Sequence, residues 1–305
     1  MKITVLGGCG FIGSAIAERM AMDGYQVTVY DRPDANIDNL SAVREKIHFE
    51  TGDFVNQQDW DVILSGADIV FHCISTTLPS TALQEPVFDA ETNIVGSLKL
   101  FAACVKHKVG KVVFISSGGT VYGIPHAIPI HENAALNPIT PYGVSKLAIE
   151  KYLALYHYHY GLDYTVLRLS NPYGIRQNPH TGQGVLASWV HQLNSGRPIE
   201  IWGDGEIVRD YIYIDDAVDA IKRASLVTTE VKTLNVGAGQ GYSLNQLHQL
   251  LEEVAGQKIT VEHKPVRKVD VPVNVLDIGL IRDSLGWEPA TSMHAGLLKL
   301  WQGIA

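Results

Sequence analysis

The chain alternates short apolar runs with amphipathic stretches. Residues 3–6, 27–30, 69–72, 112–115 and 165–169 are apolar runs of strand length. Such runs, bounded by turn signals, read as buried strands. Residues 11–22, 92–106 and 141–160 instead place apolar side chains at helical spacing. Strand–helix alternation predicts an α/β fold with a parallel sheet covered by helices on both faces. Right-handed crossovers make that sheet doubly wound. Long polar segments follow several strand ends, notably 118–141. Ligands of such sheets bind at the carboxyl ends of the strands, so these loops are candidates for substrate contact.

After about residue 169 the pattern changes. Segments such as 170–184 and 202–210 are richer in Gly, Pro and Asn, and helices are expected at 185–194, 215–225, 244–255 and 292–302, separated by brief strands. The expected division is a sheet domain over 1–169 and a smaller mixed α/β domain over 170–305, with the chain crossing between them more than once. The length of 305 residues suits this reading, because one small core would not bury so long a chain.

Composition narrows the function. With 46% hydrophobic and 18% charged residues the chain is ordinary globular sequence, which argues against disorder. The net charge is −8, with acids scattered along the chain, which disfavours a nucleic-acid groove. Cys9, Cys73 and Cys104 are odd in number and far apart, so no disulfide framework or zinc knuckle is read. Reduced thiols in a cytoplasmic protein are the simplest account. The N-terminus runs straight into a strand, and neither a signal peptide nor a membrane-spanning run is expected. His157-Tyr158-His159-Tyr160 looks like a metal motif. Residues i and i+2 of a helix point to different sides, so surface or interface packing is expected there.

Gly7-Gly8-Cys9-Gly10-Phe11-Ile12-Gly13 joins the first strand to the first helix. It fits Gly-x-Gly-x-x-Gly from Gly8 and Gly-x-x-Gly-x-x-Gly from Gly7. Glycine lets a pyrophosphate approach the backbone, and the helix N-terminus favours its charge. Asp31 ends the next strand, about 20 residues on, where a carboxylate accepts from a ribose 2′-OH and repels a 2′-phosphate. The loop and Asp31 together indicate a Rossmann sheet with NAD as cofactor, although the adjacent Arg32 weakens the exclusion of NADP. Asp53, in Gly52-Asp53-Phe54 after the third strand, suits either an adenine amino group or a plain turn.

Tyr142 and Lys146 stand at i and i+4 on one helix face, and Ser116-Ser117-Gly118-Gly119-Thr120-Val121-Tyr122-Gly123 follows the preceding strand. A phenol, an ammonium and hydroxyls thus meet at one sheet edge. Together with the glycine loop, Asp31, Asn93, Arg168-Leu169-Ser170-Asn171-Pro172-Tyr173-Gly174, Val208-Arg209-Asp210-Tyr211-Ile212 and Arg267…Asp270…Asp277, these residues resemble the extended short-chain dehydrogenase/reductases. Within that group the chain is similar to the nucleotide-sugar epimerases of the NAD-dependent epimerase/dehydratase family, over nearly its whole length.

The resemblance implies roles. Tyr142 is the acid/base, its pKa lowered from near 10 by Lys146 and the nicotinamide ring. Lys146 also holds the nicotinamide ribose. Gly7, Gly10, Phe11, Ile12, Gly13, Asp31, Asp53, Phe54 and Asn93 form the cofactor site. Relatives carry a serine or threonine where this chain has Gly118, so the hydroxyl partner of Tyr142 is expected from Ser117, the favoured choice, or Thr120. Asn171, Arg209, Arg267 and Asp270 are expected to hold the nucleotide diphosphate and ribose, and 185–189 with 201–203 to line the base pocket. The bland alternative for Arg209 and Arg267 is salt bridging to Asp210 and Asp270. Dehydratases and decarboxylases of this type carry a carboxylate beside the loop hydroxyl, and Gly118-Gly119-Thr120 has none. Epimerisation at C4 of a UDP-hexose or UDP-N-acetylhexosamine is therefore the implied reaction. Asn274, where some relatives carry a bulky tyrosine, implies room for an acetamido group. The long helices imply a homodimer.

Overall fold

The computed structural model describes residues 1–56, 60–266 and 271–304. Its centre is a seven-stranded sheet. The strands are β1 (Lys2–Leu6), β2 (Gln26–Asp31), β3 (Ile47–Thr51), β4 (Ile69–His72), β5 (Lys111–Ser117) and β6 (Asp163–Leu169). Next along the chain come β7 (Asn171–Tyr173), β8 (Ile199–Trp202), β9 (Val208–Tyr213), β10 (Thr233–Val236), β11 (Gly241–Ser243), β12 (Val261–Lys264) and β13 (Val273–Asn274). The large sheet has the order β10-β6-β5-β4-β1-β2-β3, and its pairings are all parallel. The order reverses between β1 and β4, the switch point where dinucleotides bind. The expected doubly wound α/β class is what the structure shows. The seventh strand comes from well beyond residue 169 and pairs Val166 with Thr233.

β4, β5, β6 and β10 are buried almost throughout, as their apolar runs require, whereas the edge strand β3 is only half-buried. The first helix, Phe11–Met22, presses Ile16, Ala17 and Met20 onto β1 and β2. The helix Pro141–Tyr160 starts where predicted because Thr140 caps it, its hydroxyl accepting from the Gly143 amide, with Pro141 in the first turn. It ends at Gly161, whose φ of 71° closes the last turn. The helix expected from 92 is longer: chain turns begin at Pro86, pass through a π-helical stretch at Ala90–Val95 and continue as Gly96–Lys106.

The second half adds a sheet built around β9, which pairs with β7, β11 and β13, and a two-stranded pair of β8 with β12. Val185–Asn194 and Leu244–Ala255 are helices with the predicted bounds. Ile214–Leu226 and Met293–Ile304 differ from the predicted ends by one or two residues. Trp189, Trp287, Leu247 and Leu297 share one core with the strand residues Val5 and Phe71, so the two halves pack on each other. Among the described residues no helix is long and apolar enough to cross a membrane.

Candidate functional site

A cleft of about 1500 Å³ runs along the carboxyl ends of the sheet, from the glycine loop past β4 and β5 to β7 and β9. At one end Gly7 turns with φ of 75° and donates to the Tyr30 carbonyl at 2.8 Å. A side chain at Gly13 would put its Cβ 2.2 Å from the Gly7 carbonyl, and one at Gly8 would meet Val29 at 2.6 Å. Gly10 caps the first helix without a side-chain bond. The first-turn amides of Phe11 and Ile12, which line the cleft, thus face it without a capping side chain. The turn satisfies the reading from Gly7, and Gly8 is required as well.

Asp31 lies at the lip of this loop. Its Oδ2 accepts from the Cys9 amide at 2.8 Å and its Oδ1 from the Arg32 amide at 2.9 Å. Both oxygens keep lone pairs for a ribose. Arg32 leans to Asp34 at 3.3 Å. These features fit a dinucleotide without a 2′-phosphate. Asp53 takes the turn geometry: it accepts from the Val55 amide and the Asn56 side chain, which hold its pKa below the usual carboxylate range, with Asn56 the larger cause. It still lines the cleft beside Phe54. Phe54 is fixed edge-on to Trp60 and rests where any side chain at Gly96 would intrude. Burial pushes the Cys9 thiol up to about 12, so it is an inert wall of the loop.

Asn93 does not reach the wall. It is buried in the π-helical turn, accepts from the Thr76 amide at 3.0 Å and donates to Thr77 and Asp89 at 3.1 Å. Its contribution is to hold the loop after β4 in place. Asp89, which sequence reasoning missed, is fully buried at the same junction. Its carboxylate accepts from Thr77, Asn93 and, at 2.5 Å, Ser145 on the Pro141–Tyr160 helix. It therefore ties the loop after β4 to the helix bearing Tyr142 and Lys146.

Tyr142 and Lys146 both line the cleft. The Lys146 ammonium lies 5.6 Å from the Tyr142 ring centroid and donates to the Ile115 carbonyl at 3.0 Å. Burial pulls its pKa down to about 8. Burial also pushes the Tyr142 phenol up to about 12, against a hydrogen bond with Ser75, while Asp89 adds to the rise. In the polypeptide alone desolvation sets the direction; the lowering read from the sequence draws on Lys146 together with the nicotinamide ring. Ser117 and Thr120 both line the cleft, and the Thr120 hydroxyl is buried without a partner. Gly118 lies behind that wall: a Cβ there would be 2.6 Å from Leu276, and its carbonyl accepts from Asn274 at 3.1 Å. A side chain here would have to displace the buried Leu276.

Beneath the reacting end Arg168 and Glu150 form a buried ion pair at 2.7 Å. Arg168 also donates to the Tyr122 hydroxyl at 3.0 Å, and Ser116 donates to Glu150 at 2.5 Å. This network carries the helix on the floor formed by β5 and β6.

At the far end Asn171 donates to the Asp210 carbonyl at 2.9 Å and lines the cleft. Arg209 lines it as well and donates to the Val208 and Val271 carbonyls at 2.9 and 2.5 Å. Asp210 is not its surface partner. That carboxylate is buried, accepts from the Ala238, Gly239 and Leu276 amides, and is raised to about 6 by burial. Arg267 and Asp270 lie outside the described residues. Val185, Leu186 and Trp202 line the cleft, whereas Trp189 is a core residue donating to the Glu200 carbonyl at 2.9 Å. Asn274 is fully buried behind Gly118 rather than on the wall. Tyr158 is 83% exposed, the His157 ring donates to the Leu162 carbonyl at 3.1 Å, and no metal-ligand cluster occurs among the described residues.

Comparison with known proteins follows the same lines. Residues 3–237 match the model of the NAD dependent epimerase/dehydratase family. The UDP-glucose 4-epimerase of Mycolicibacterium smegmatis is 36% identical, covering 98% of this chain and 97% of that protein. The crystal structure of a UDP-glucose 4-epimerase from Thermotoga maritima with UDP-glucose superimposes with a TM-score of 0.94 at 37% identity, covering 99% of this chain and 98% of that one. The UDP-glucose 4-epimerase of Thermus thermophilus in complex with NAD gives a TM-score of 0.91 at 31% identity, covering 100% and 99%. With the glycine cradle, Tyr142, Lys146 and the full-length likeness in agreement, the chain belongs to the NAD-dependent epimerase/dehydratase family and is an enzyme of its epimerase kind.

Proposed function

We propose that the chain binds NAD and inverts C4 of a UDP-hexose or UDP-N-acetylhexosamine by transient oxidation to the 4-ketose. One observation carries the choice of reaction. Among the described residues the carboxylates lining the cleft are Asp31, Asp38 and Asp53, all at the glycine-loop end. Around Tyr142 and Lys146 the described lining holds hydroxyls, among them Ser75, Ser117 and Thr120, and the Cys73 thiol, but no carboxylate. Eliminating water needs a further acid/base pair, and these groups supply a single proton-transfer site.

The glycine cradle and Asp31 hold the dinucleotide, and Lys146 holds its nicotinamide ribose. Bound NAD supplies the hydride acceptor and donor, and its positive ring adds the charge that lowers Tyr142. Tyr142 as phenolate takes the C4 hydroxyl proton and, as phenol, returns it. Ser117 and Thr120 orient the sugar hydroxyl. Asn171 and Arg209, with Arg267 and Asp270, hold the nucleotide diphosphate and ribose. A homodimer through the helices 86–106 and 141–160 is supported by the exposure of Val87 (68%), Val95 (43%) and Leu155 (49%).

The test is incubation of the purified protein with UDP-, GDP-, dTDP- and CDP-hexoses, including UDP-galactose and UDP-GalNAc, with the sugars resolved by NMR. The expected result is C4 epimers of a UDP-sugar at unchanged mass. Loss of water or carbon dioxide, or net consumption of NADH, contradicts it.

A further inference from the structure

The π-helical stretch Ala90–Val95 follows directly on Asp89. Such turns are rare and frequently mark functional sites. Here the turn brings Asn93 back onto Asp89: the Asn93 side-chain amide donates to the Asp89 carbonyl and to its carboxylate, each at 3.1 Å. The carboxylate is fully buried and collects donors from three elements. Asn93 comes from the π-helical turn, Thr77 from the loop after β4, and Ser145, at 2.5 Å, from the helix Pro141–Tyr160. An ionised carboxylate only accepts, so three converging donors suit it. The loop is held to the same turn twice more, by the Thr76 amide donating to Asn93 at 3.0 Å and by the paired hydroxyls of Thr76 and Thr92. Ser145 is buried, one residue before Lys146 and three after Tyr142. One turn of helix therefore carries the anchor and both groups that line the cleft.

We propose that Asp89 is a positioning residue for the reaction, which through Ser145 sets Tyr142 and Lys146 against the loop after β4 that lines the same cleft. This inference rests on Tyr142 being the acid/base group. Proton transfer needs the phenol oxygen within hydrogen-bond reach of the sugar hydroxyl, and a misplacement of about 1 Å costs on the order of a hundredfold in rate. A bond to an ionised acceptor is shorter and stronger than a neutral one, so it holds the helix turn more closely. The carboxylate also has an electrostatic signature. It opposes ionisation of Tyr142 and favours the protonated form of Lys146. The other titratable groups that act with Lys146 are His72 and Cys73 at the end of β4 and Glu150 on the same helix.

Three variants separate position from charge. Ser145→Ala cuts the tie on the helix side and leaves a good helix former in its place. Asp89→Ala cuts it at the centre. Asp89→Asn keeps it: the amide oxygen accepts from Thr77 and Asn93, and the amide nitrogen donates to the Ser145 hydroxyl, whose lone pairs receive it. Turnover of UDP-galactose, NAD affinity and urea midpoints are measured for these proteins, the wild type and Tyr142→Phe. In Ser145→Ala, kcat falls by about 10–100-fold while KM and NAD affinity stay within about twofold. Asp89→Ala loses at least as much, and Asp89→Asn recovers kcat to within about threefold of the wild type. The phenolate absorbance of NAD-loaded protein, less that of Tyr142→Phe, follows Tyr142 without a substrate; in Asp89→Asn it moves to lower pH, because a negative charge beside the phenol is gone. Should Asp89→Ala fail to fold, Ser145→Ala carries the test. A lowered urea midpoint in Ser145→Ala with kcat unchanged overturns the inference, as does a loss confined to KM or NAD affinity. Asp89→Asn as impaired as Asp89→Ala overturns it too, and so does an unmoved phenolate titration. Normal turnover by Tyr142→Phe instead removes the acid/base reading beneath it; an inactive Tyr142→Phe beside a fully active Ser145→Ala removes only the role of Asp89.

Discussion

Lys146 donates to the Ile115 carbonyl at 3.0 Å while its ammonium lies 5.6 Å from the Tyr142 ring centroid. The carbonyl is the only charge-stabilising bond described for a cation that is 6% exposed. Its folded pKa of about 8, against 10.5 when free, has a consequence for stability. Below about pH 8 both folded and unfolded chains keep the proton, and the folded one bears the full cost of burying it. Between the two values the unfolded chain holds a proton that the folded one sheds, so stability rises with pH. Lys146→Met should therefore stabilise the ligand-free protein at neutral pH, by about 1–3 kcal/mol, while turnover collapses. Urea unfolding at neutral and alkaline pH reads this, and the gain should shrink as pH rises.

Gly13→Ala should loosen the cofactor cradle. The added Cβ would lie 2.2 Å from the Gly7 carbonyl and 2.9 Å from the Gly8 Cα, both backbone atoms that cannot turn aside. The helix must move off the loop. NAD affinity should fall at least about tenfold, or about 1.4 kcal/mol. Gly10→Ala meets only the Gly7 carbonyl at 3.3 Å and should lose less. Titration of ligand-free protein with NAD compares the two.

Glu150→Gln should be severely destabilising. Arg168 and Glu150 are buried together, and Gln leaves the guanidinium without its counter-charge. Breaking one side of such a pair costs about 3–5 kcal/mol. Replacing both residues by apolar ones should cost less than the single change, which urea unfolding of the three proteins will show.

Much of this was legible in the sequence, for local reasons. The inner strands of the large sheet are buried, so they stand out as apolar runs, while the half-buried edge strand β3 does not, and Thr140-Pro141 and Gly161 mark the ends of one helix by capping and left-handed geometry. The glycine loop was legible because its backbone geometry admits so few residue types. The remainder depends on tertiary contact. Pro86 begins a helix that the apolar spacing placed at 92, because the π-helical turn breaks the period. Asp89 reads as an exposed helical acid until Thr77, Asn93 and Ser145 are seen to converge on it. Trp189 reads with the stretch 185–189 as base-pocket lining; Val185 and Leu186 do line the cleft, whereas its own side chain turns to Glu200.

The most direct test of the account follows the hydrogen at C4. Turnover of a UDP-hexose deuterated at C4, in ordinary water, should give the C4 epimer with the deuterium retained at C4, no change in mass and no net NADH. Tyr142→Phe should abolish that conversion. Deuterium lost to solvent, or an epimer formed at another carbon, would contradict transient oxidation at C4.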